Sequence, residues 1–170
     1  MSHISFQGDA ILPSVVDRSW NNRYFIDTEF TDFDQRQLIS LAIVGENGHE
    51  FYGECVDFDE SLCSDFVRAN VLPQLGKFAG RVMPFKQLCE VLRNWFKDIP
   101  VAGRPVLCYD LAADIDLLQE MLGGRHPDGW AIEDIEALLD PRRRRAYFAR
   151  HGGEHHALHD ARANAYACTG

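Results

Sequence analysis

Apolar and β-branched residues crowd into two short runs, Arg23 to Phe30 (RYFIDTEF) and Leu38 to Val44 (LISLAIV), each too brief for a helix. Both predict strands. The turn signal Gly45-Glu46-Asn47-Gly48 follows, then Glu50 to Cys55 as a third strand that closes a meander. Beyond it the apolar period changes. Asp59 or Ser61 can cap a helix running through Asp65, Phe66 and Val67 to about Ala69, broken by Pro73. After Pro84, at a first-turn position, Phe85, Leu88, Val91, Leu92, Trp95 and Phe96 recur at helical spacing until Ile99-Pro100. Arg104 to Tyr109 reads as a buried strand, and Ala112 to Leu122 as a helix ended by Gly123-Gly124. Trp130 to Leu139 fits either a short strand with a turn or a helix, and His156 to Cys168 is an Ala-rich helix. Three strands followed by alternating helices and strands predict an α/β fold with a mixed sheet flanked by helices. Residues 1–22 show neither period and are expected to form an N-terminal extension, leaving 23–170 as one domain.

Composition changes this picture in few places. With 170 residues, 46% of them apolar, the chain can bury a core without disulfides. Its five cysteines are odd in number, scattered and never in a CxxC arrangement, so they read as reduced packing thiols. No apolar run is long enough to cross a bilayer, and no Lys or Arg precedes Asp17 in a leader-like pattern, so a cytoplasmic location is expected. The 17 Lys and Arg against 26 Asp and Glu leave a net charge of −9, a poor footing for binding a polyanion. That objection weakens if some of the acids hold divalent cations, because bound ions invert the local field and draw phosphate in. The basic run Arg142 to Arg145 reads either as a solvated helix face or as a phosphate-contacting patch, with the balance slightly toward the patch.

Three acidic clusters carry the candidate chemistry. Asp27 and Glu29 lie two apart on a strand and therefore share a face, where their repulsion calls for a cation or a proton. Phe25, Ile26 and Phe30 around them mark a sheet interior, costly for unpaired acids. Tyr109-Asp110 leaves a strand for a helix containing Asp114 and Asp116; helix capping and dipole compensation would explain these acids without chemistry. Third, His155 lies five residues before Asp160 at the start of the last helix and can swing over the same site if the turn between them unwinds. A zinc site from His151, His155, His156 and His159 is the competing reading, weakened by the lack of a cysteine or further acidic ligand nearby.

Together these residues resemble the DEDD 3′-5′ exonucleases of the ribonuclease H-like superfamily, in the branch with a histidine in its third motif (DEDDh). Asp27-Thr28-Glu29-Phe30-Thr31 is similar to the first motif, DxE. Tyr109 to Leu118 is similar to the second, an Asp followed four residues later by Leu, here Asp114 and Leu118; Asp110 is the alternative register. His155 to Ala161 is similar to the third, HxAxxDA, and matches at His155, Ala157, Asp160 and Ala161. One DxE is a weak signal, but three motifs in order and in context are specific. Asp27 to Phe30 and the Val71-Leu72-Pro73-Gln74-Leu75 segment further resemble small bacterial exoribonucleases of the RNase AS type, which favour adenylate tails. Tyr109-Asp110 departs from the His-Asn with which the family often opens its second motif.

The resemblance implies a ribonuclease H-like fold, an exonuclease domain over 23–170, and hydrolysis of single-stranded RNA from its 3′ end. It implies two Mg²⁺ (or Mn²⁺) ions held by Asp27, Glu29, Asp114 and Asp160, with Asp27 bridging and His155 as general base. Phe30, Asp110 and Tyr109 are the expected substrate contacts. A DNA or short-oligonucleotide exonuclease is the rival within the enzyme class, and a non-catalytic RNA-binding module the rival outside it. A homodimer is the expected assembly, with no membrane partner.

Overall fold

The computed structural model describes residues 22–100 and 103–169, so all of the expected N-terminal extension but Asn22 lies outside the described residues. Among the described residues six strands form one sheet: β1 (Arg23–Phe30), β2 (Leu38–Gly45), β3 (Glu50–Cys55), β4 (Val82–Met83), β5 (Val106–Tyr109) and β6 (Ala131–Asp134). Their spatial order is β4-β3-β2-β1-β5-β6. The meander β1-β2-β3 is antiparallel, whereas β5 joins β1, and β6 joins β5, in parallel. β1 is therefore central, and the acids it carries sit inside the molecule. Its pairing with β2 shifts register between Glu29 and Phe30, an irregularity of the kind that re-aims side chains beside active sites.

The described residues also form five α-helices: α1 (Asp65–Asn70), α2 (Phe85–Asp98), α3 (Ala112–Met121), α4 (Pro141–His151) and α5 (Ala157–Ala167). Side chains alternate across β1. Tyr24 and Ile26 point to the larger core, where Leu88 and Leu92 of α2 and Ile115, Leu118 and Met121 of α3 cover the sheet. The opposite face is covered by α5, whose Ala157, Leu158 and Ala161 pack on Ala42, Val44 and Tyr52. Small residues let α5 lie close to the strands, bringing Asp160 within reach of Asp27 and Glu29. In β3, a Cβ at Gly53 would collide with a terminal methyl of the buried Leu88 side chain, which would have to shift to admit it.

Strands β1, β2, β3 and β5, the helices α2, α3 and α5, and the mixed sheet follow the sequence reading, whereas the two-residue strand β4 was not anticipated. Around the first short helix the structure differs. Asp59 caps only a 3₁₀ turn, Glu60–Leu62, through its bond from the Ser61 amide, while Ser64 accepts from Val67 N–H and caps α1. Pro84 occupies the N-cap position of α2. The ambiguous segment resolves into β6 and a 3₁₀ turn, Glu136–Leu138. α3 ends in a Schellman motif: Gly124 N–H donates to Gln119 O at 2.7 Å and Gly123 N–H to Glu120 O at 3.1 Å, with φ 77° at Gly123. The signal for α4 was also present in the chain, since Asp140 caps it at 2.8 Å from Arg142 N and Pro141 fills the first helical position.

Leu118 anchors α3, and through it Asp114, beneath β1 without exposing any surface. Leu118→Ala should destabilise the protein by about 2–5 kcal/mol. Chemical denaturation followed by circular dichroism measures this; a loss well under 1 kcal/mol would show that α3 is held some other way.

Candidate active site

Asp27 and Glu29 project from β1 onto the face covered by α5, and Asp160 meets them from the first turn of that helix. Oxygens of Asp27, Glu29 and Asp160 lie within 4.8 Å of one another, and so do oxygens of Asp27, Asp110 and Asp114. Asp27 belongs to both groups. These are the two such groups among the described residues, and neither contains a histidine, so the zinc reading of His151, His155, His156 and His159 finds no counterpart there.

The structure brings Asp110 and Asp114 together rather than choosing between them. Asp114, in the first turn of α3, is 2% exposed, and its Oδ1 accepts from Thr28 N–H at 3.0 Å and from Thr28 Oγ1 at 2.6 Å. Its Oδ2 is buried with no partner. Asp110 is not the cap expected of it, because Leu111 occupies the N-cap position of α3. Instead Asp110 Oδ1 accepts from Asn164 Nδ2 at 2.9 Å. Asn164, fully buried on α5, escaped the sequence reading, although it stands four residues after Asp160 and so shares its helix face.

His155 lies on the same cleft, of about 550 Å³, as the five acids. It precedes α5 with φ 65°, the one positive value among described non-glycine residues. Such a backbone costs about 1–3 kcal/mol, which the surroundings must offset. The turn from His156 to Asp160 is wound, with Asp160 N–H donating to His156 O at 2.9 Å, so the break expected between His155 and Asp160 lies at His155 itself, whose imidazole stands against Phe66 at 4.8 Å between ring centroids. Of the basic run, Arg144 turns inward: its Nη2 stands 3.7 Å from Asp160 Oδ1. Phe30 lines the cleft while also packing on the core, Phe33 stacks edge-on against it at 5.1 Å, and Tyr109 packs against the core without lining the cleft.

So many acids in one buried space repel each other's charge. Burial first, then Asp160, Asp114 and Glu29, hold the Asp27 carboxyl well above the usual range. Burial and Asp160 push Glu29 up to about 8. Asp114 rises to about 7, chiefly by burial and against the Thr28 hydrogen bond; Asp160 rises to about 7, chiefly by burial and against Arg144. Asp110 is raised too, again mainly by burial. Hard oxygen donors, two clusters sharing one carboxylate, and the orphaned buried oxygens Asp114 Oδ2 and Asp160 Oδ1 fit a pair of divalent cations such as Mg²⁺ or Mn²⁺.

With this geometry, comparison with known proteins is informative. The chain is 39% identical over 66 residues to the 3′-5′ exoribonucleases Rv2179c and MT2234.1 of two Mycobacterium tuberculosis strains. Over that stretch it is their homologue. The match spans 38% of this chain and 39% of each relative. Among solved structures, cell-death related nuclease 4 (CRN-4) superposes with a TM-score of 0.55 at 14% identity, covering 85% of this chain and 61% of that one. At that identity the likeness concerns the fold, which is ribonuclease H-like α/β as expected. No family model matches the chain.

The clustered acids set a pH dependence. Unfolded, carboxyls of this kind titrate near 4; folded and metal-free, Glu29 titrates at about 8 and Asp114 and Asp160 at about 7. Between those values the native state holds more protons than the unfolded chain, so stability is greatest below about pH 4 for this contribution and falls as pH rises to about 8. Chelator-treated protein should therefore melt lower at about pH 8 than at about pH 5, and Mg²⁺ should reverse the loss. Asp27→Asn should raise the metal-free melting temperature at about pH 8, by about 2–4 °C for each kcal/mol of repulsion relieved, and abolish the response to Mg²⁺. An unchanged Mg²⁺ response in that variant would remove Asp27 from the site.

Proposed function

We propose that this protein is a metal-dependent 3′-to-5′ exoribonuclease acting on single-stranded RNA. The observation that carries the reading is Asp27 standing in both carboxylate groups, so that the five acids would hold two cations at one site. Partial-length homology to 3′-5′ exoribonucleases supports the polarity and the substrate class. Asp27, Glu29 and Asp160 would hold one ion, and Asp27, Asp110 and Asp114 the other. When bound, the ions supply Lewis acidity toward the phosphate and its attacking water, and charge compensation as the 3′ oxygen leaves.

The chain's own groups do the rest. His155 takes the proton of the attacking water, since its half-buried imidazole lines the same cleft as the acids. Thr28 fixes one oxygen of Asp114 and so leaves the other for a cation. Asn164 orients Asp110 in the same way. Arg144, paired at 3.7 Å with Asp160, brings a positive charge to the rim where a phosphate would approach. Phe33 and Phe66 are 65% and 53% exposed beside the acids. Exposed rings next to a phosphate-processing centre suit unpaired bases, which stack on them, and this favours a single strand over a duplex.

The reading is tested by incubating 5′-labelled A, U, C and G homopolymers, as RNA and as DNA, with Mg²⁺, with Mn²⁺ and with chelator. A ladder shortening from the 3′ end of RNA, lost on chelation, is expected, with the adenylate polymer the preferred substrate. Endonucleolytic fragments, or cleavage that survives chelation, would overturn the mechanism, and a DNA-only ladder would overturn the substrate. His155→Ala should keep the thermal response to Mg²⁺ but lose most turnover, while Asp27→Asn loses both. In a separate assay Phe33→Ala should raise KM roughly 5- to 150-fold, the equivalent of about 1–3 kcal/mol of stacking, with smaller change in kcat; an unaltered KM would exclude Phe33 from substrate contact.

A further inference from the structure

The segment Val71-Leu72-Pro73-Gln74-Leu75 stands apart from the metal cluster, yet its glutamine reaches the turn that carries His155. Gln74 Nε2 lies 2.7 Å from Glu154 O, 3.0 Å from His155 O and 2.8 Å from Asn70 O. Its two N–H groups are thus shared among three carbonyls, two of which flank the strained His155 backbone. A second connection holds the other side of that turn. Gly76 N–H donates to Glu54 Oε2 at 2.8 Å, and Tyr52 O–H donates to Glu54 Oε1 at 2.8 Å. Tyr52 Oη also meets His156 Nε2 at 3.1 Å. Because the single hydroxyl proton of Tyr52 goes to Glu54, the imidazole must donate, which places the His156 proton on Nε2. Glu54 and His156 are 2% and 3% exposed, so both bonds are shielded from water.

The two connections form a closed circuit. It runs from Gln74 across to residues 154 and 155, through His156, Tyr52 and Glu54, and back to Gly76, two residues from its start. A non-glycine residue at φ 65° persists only where its neighbours over-determine it; the bond from the His155 backbone to the Asp160 carboxylate supplies part of that constraint, and this circuit adds to it. We propose that Gln74 is a positioning residue for His155, locking the turn so that the imidazole faces the acidic cluster, with the Glu54–Tyr52–His156 chain as the opposite anchor. The inference rests on the reading of His155 as general base.

Gln74→Glu and Gln74→Met keep the side-chain length but remove the donors, and Gln74 is only partly buried, so both variants should fold. In metal-free protein, amide deuterium uptake across residues 154–156 should be faster in both than in wild type. With Mg²⁺ and a 5′-labelled adenylate RNA oligonucleotide, kcat should fall about 10- to 100-fold with KM nearly unchanged, as small displacements of a reacting group produce. Combined with His155→Ala, neither substitution should lower turnover further. Unchanged uptake with unchanged kcat would overturn the proposal, as would an equal loss in the His155→Ala background. Wild-type turnover in His155→Ala alone would instead remove the general base, and with it the catalytic role of the clamp; the metal-free exchange experiment reads the clamp separately.

Discussion

Repulsion among buried carboxylates around Asp27 is the constraint to which much of this structure answers. Asp27, Glu29, Asp110, Asp114 and Asp160 come from one strand, one strand end and two helices, and they meet where water is scarce. Without cations, burial first and then their mutual repulsion raise their hold on protons above the usual carboxylate range. A fold that relieved this by spreading the acids apart would be more stable without cations and would lose the site. The surrounding framework is built to hold them together: a central strand paired on both sides, an Ala-rich helix close on one face and an apolar core under the other.

Supporting groups divide this repulsion into ordered parts. Thr28 and Asn164 each hold one oxygen of an acid, so that lone pairs are assigned to the protein or left for cations. Arg144 brings the compensating charge nearest to Asp160 while leaving its oxygen without a hydrogen bond. The chain's net charge of −9 ceases to be an argument against a nucleic-acid substrate, because much of the local negative potential is concentrated where cations would cancel it. Arg144 also sharpens the role of the basic run: one of its arginines turns to the acids, while Arg142, Arg143 and Arg145 stay exposed on α4.

His155 answers to a different requirement. It sits on a strained turn whose backbone also bonds the Asp160 carboxylate, and the polar circuit through Gln74, Glu54, Tyr52 and His156 stands behind that turn. Burial pushes the His156 imidazole down to about 4, with His159 adding to the effect, so it remains a neutral partner in the circuit, while half-buried His155 lines the cleft. Adjacent histidines thus receive unlike environments from one turn.

Much of the fold was legible in the chain because its signals are local. Short aromatic, β-branched and apolar runs with a turn signal between them marked β1 to β3, a period-3.6 run marked α2, and the glycines after Leu122 marked the end of α3. The site was legible to the extent that its members share a short motif: Asp27 with Glu29 on one strand face, His155 with Asp160 across one turn. The sequence by itself determined these residues and their pairings. Only the tertiary structure decided what crosses between elements: that Asp110 and Asp114 both face Asp27, that Asn164 holds Asp110, that Arg144 alone of its run turns inward, and that Gln74 grips the His155 turn. Local spacing sets the face on which a side chain emerges, but which faces meet depends on how the sheet pairs and how closely α5 packs, and those are settled by the whole core at once.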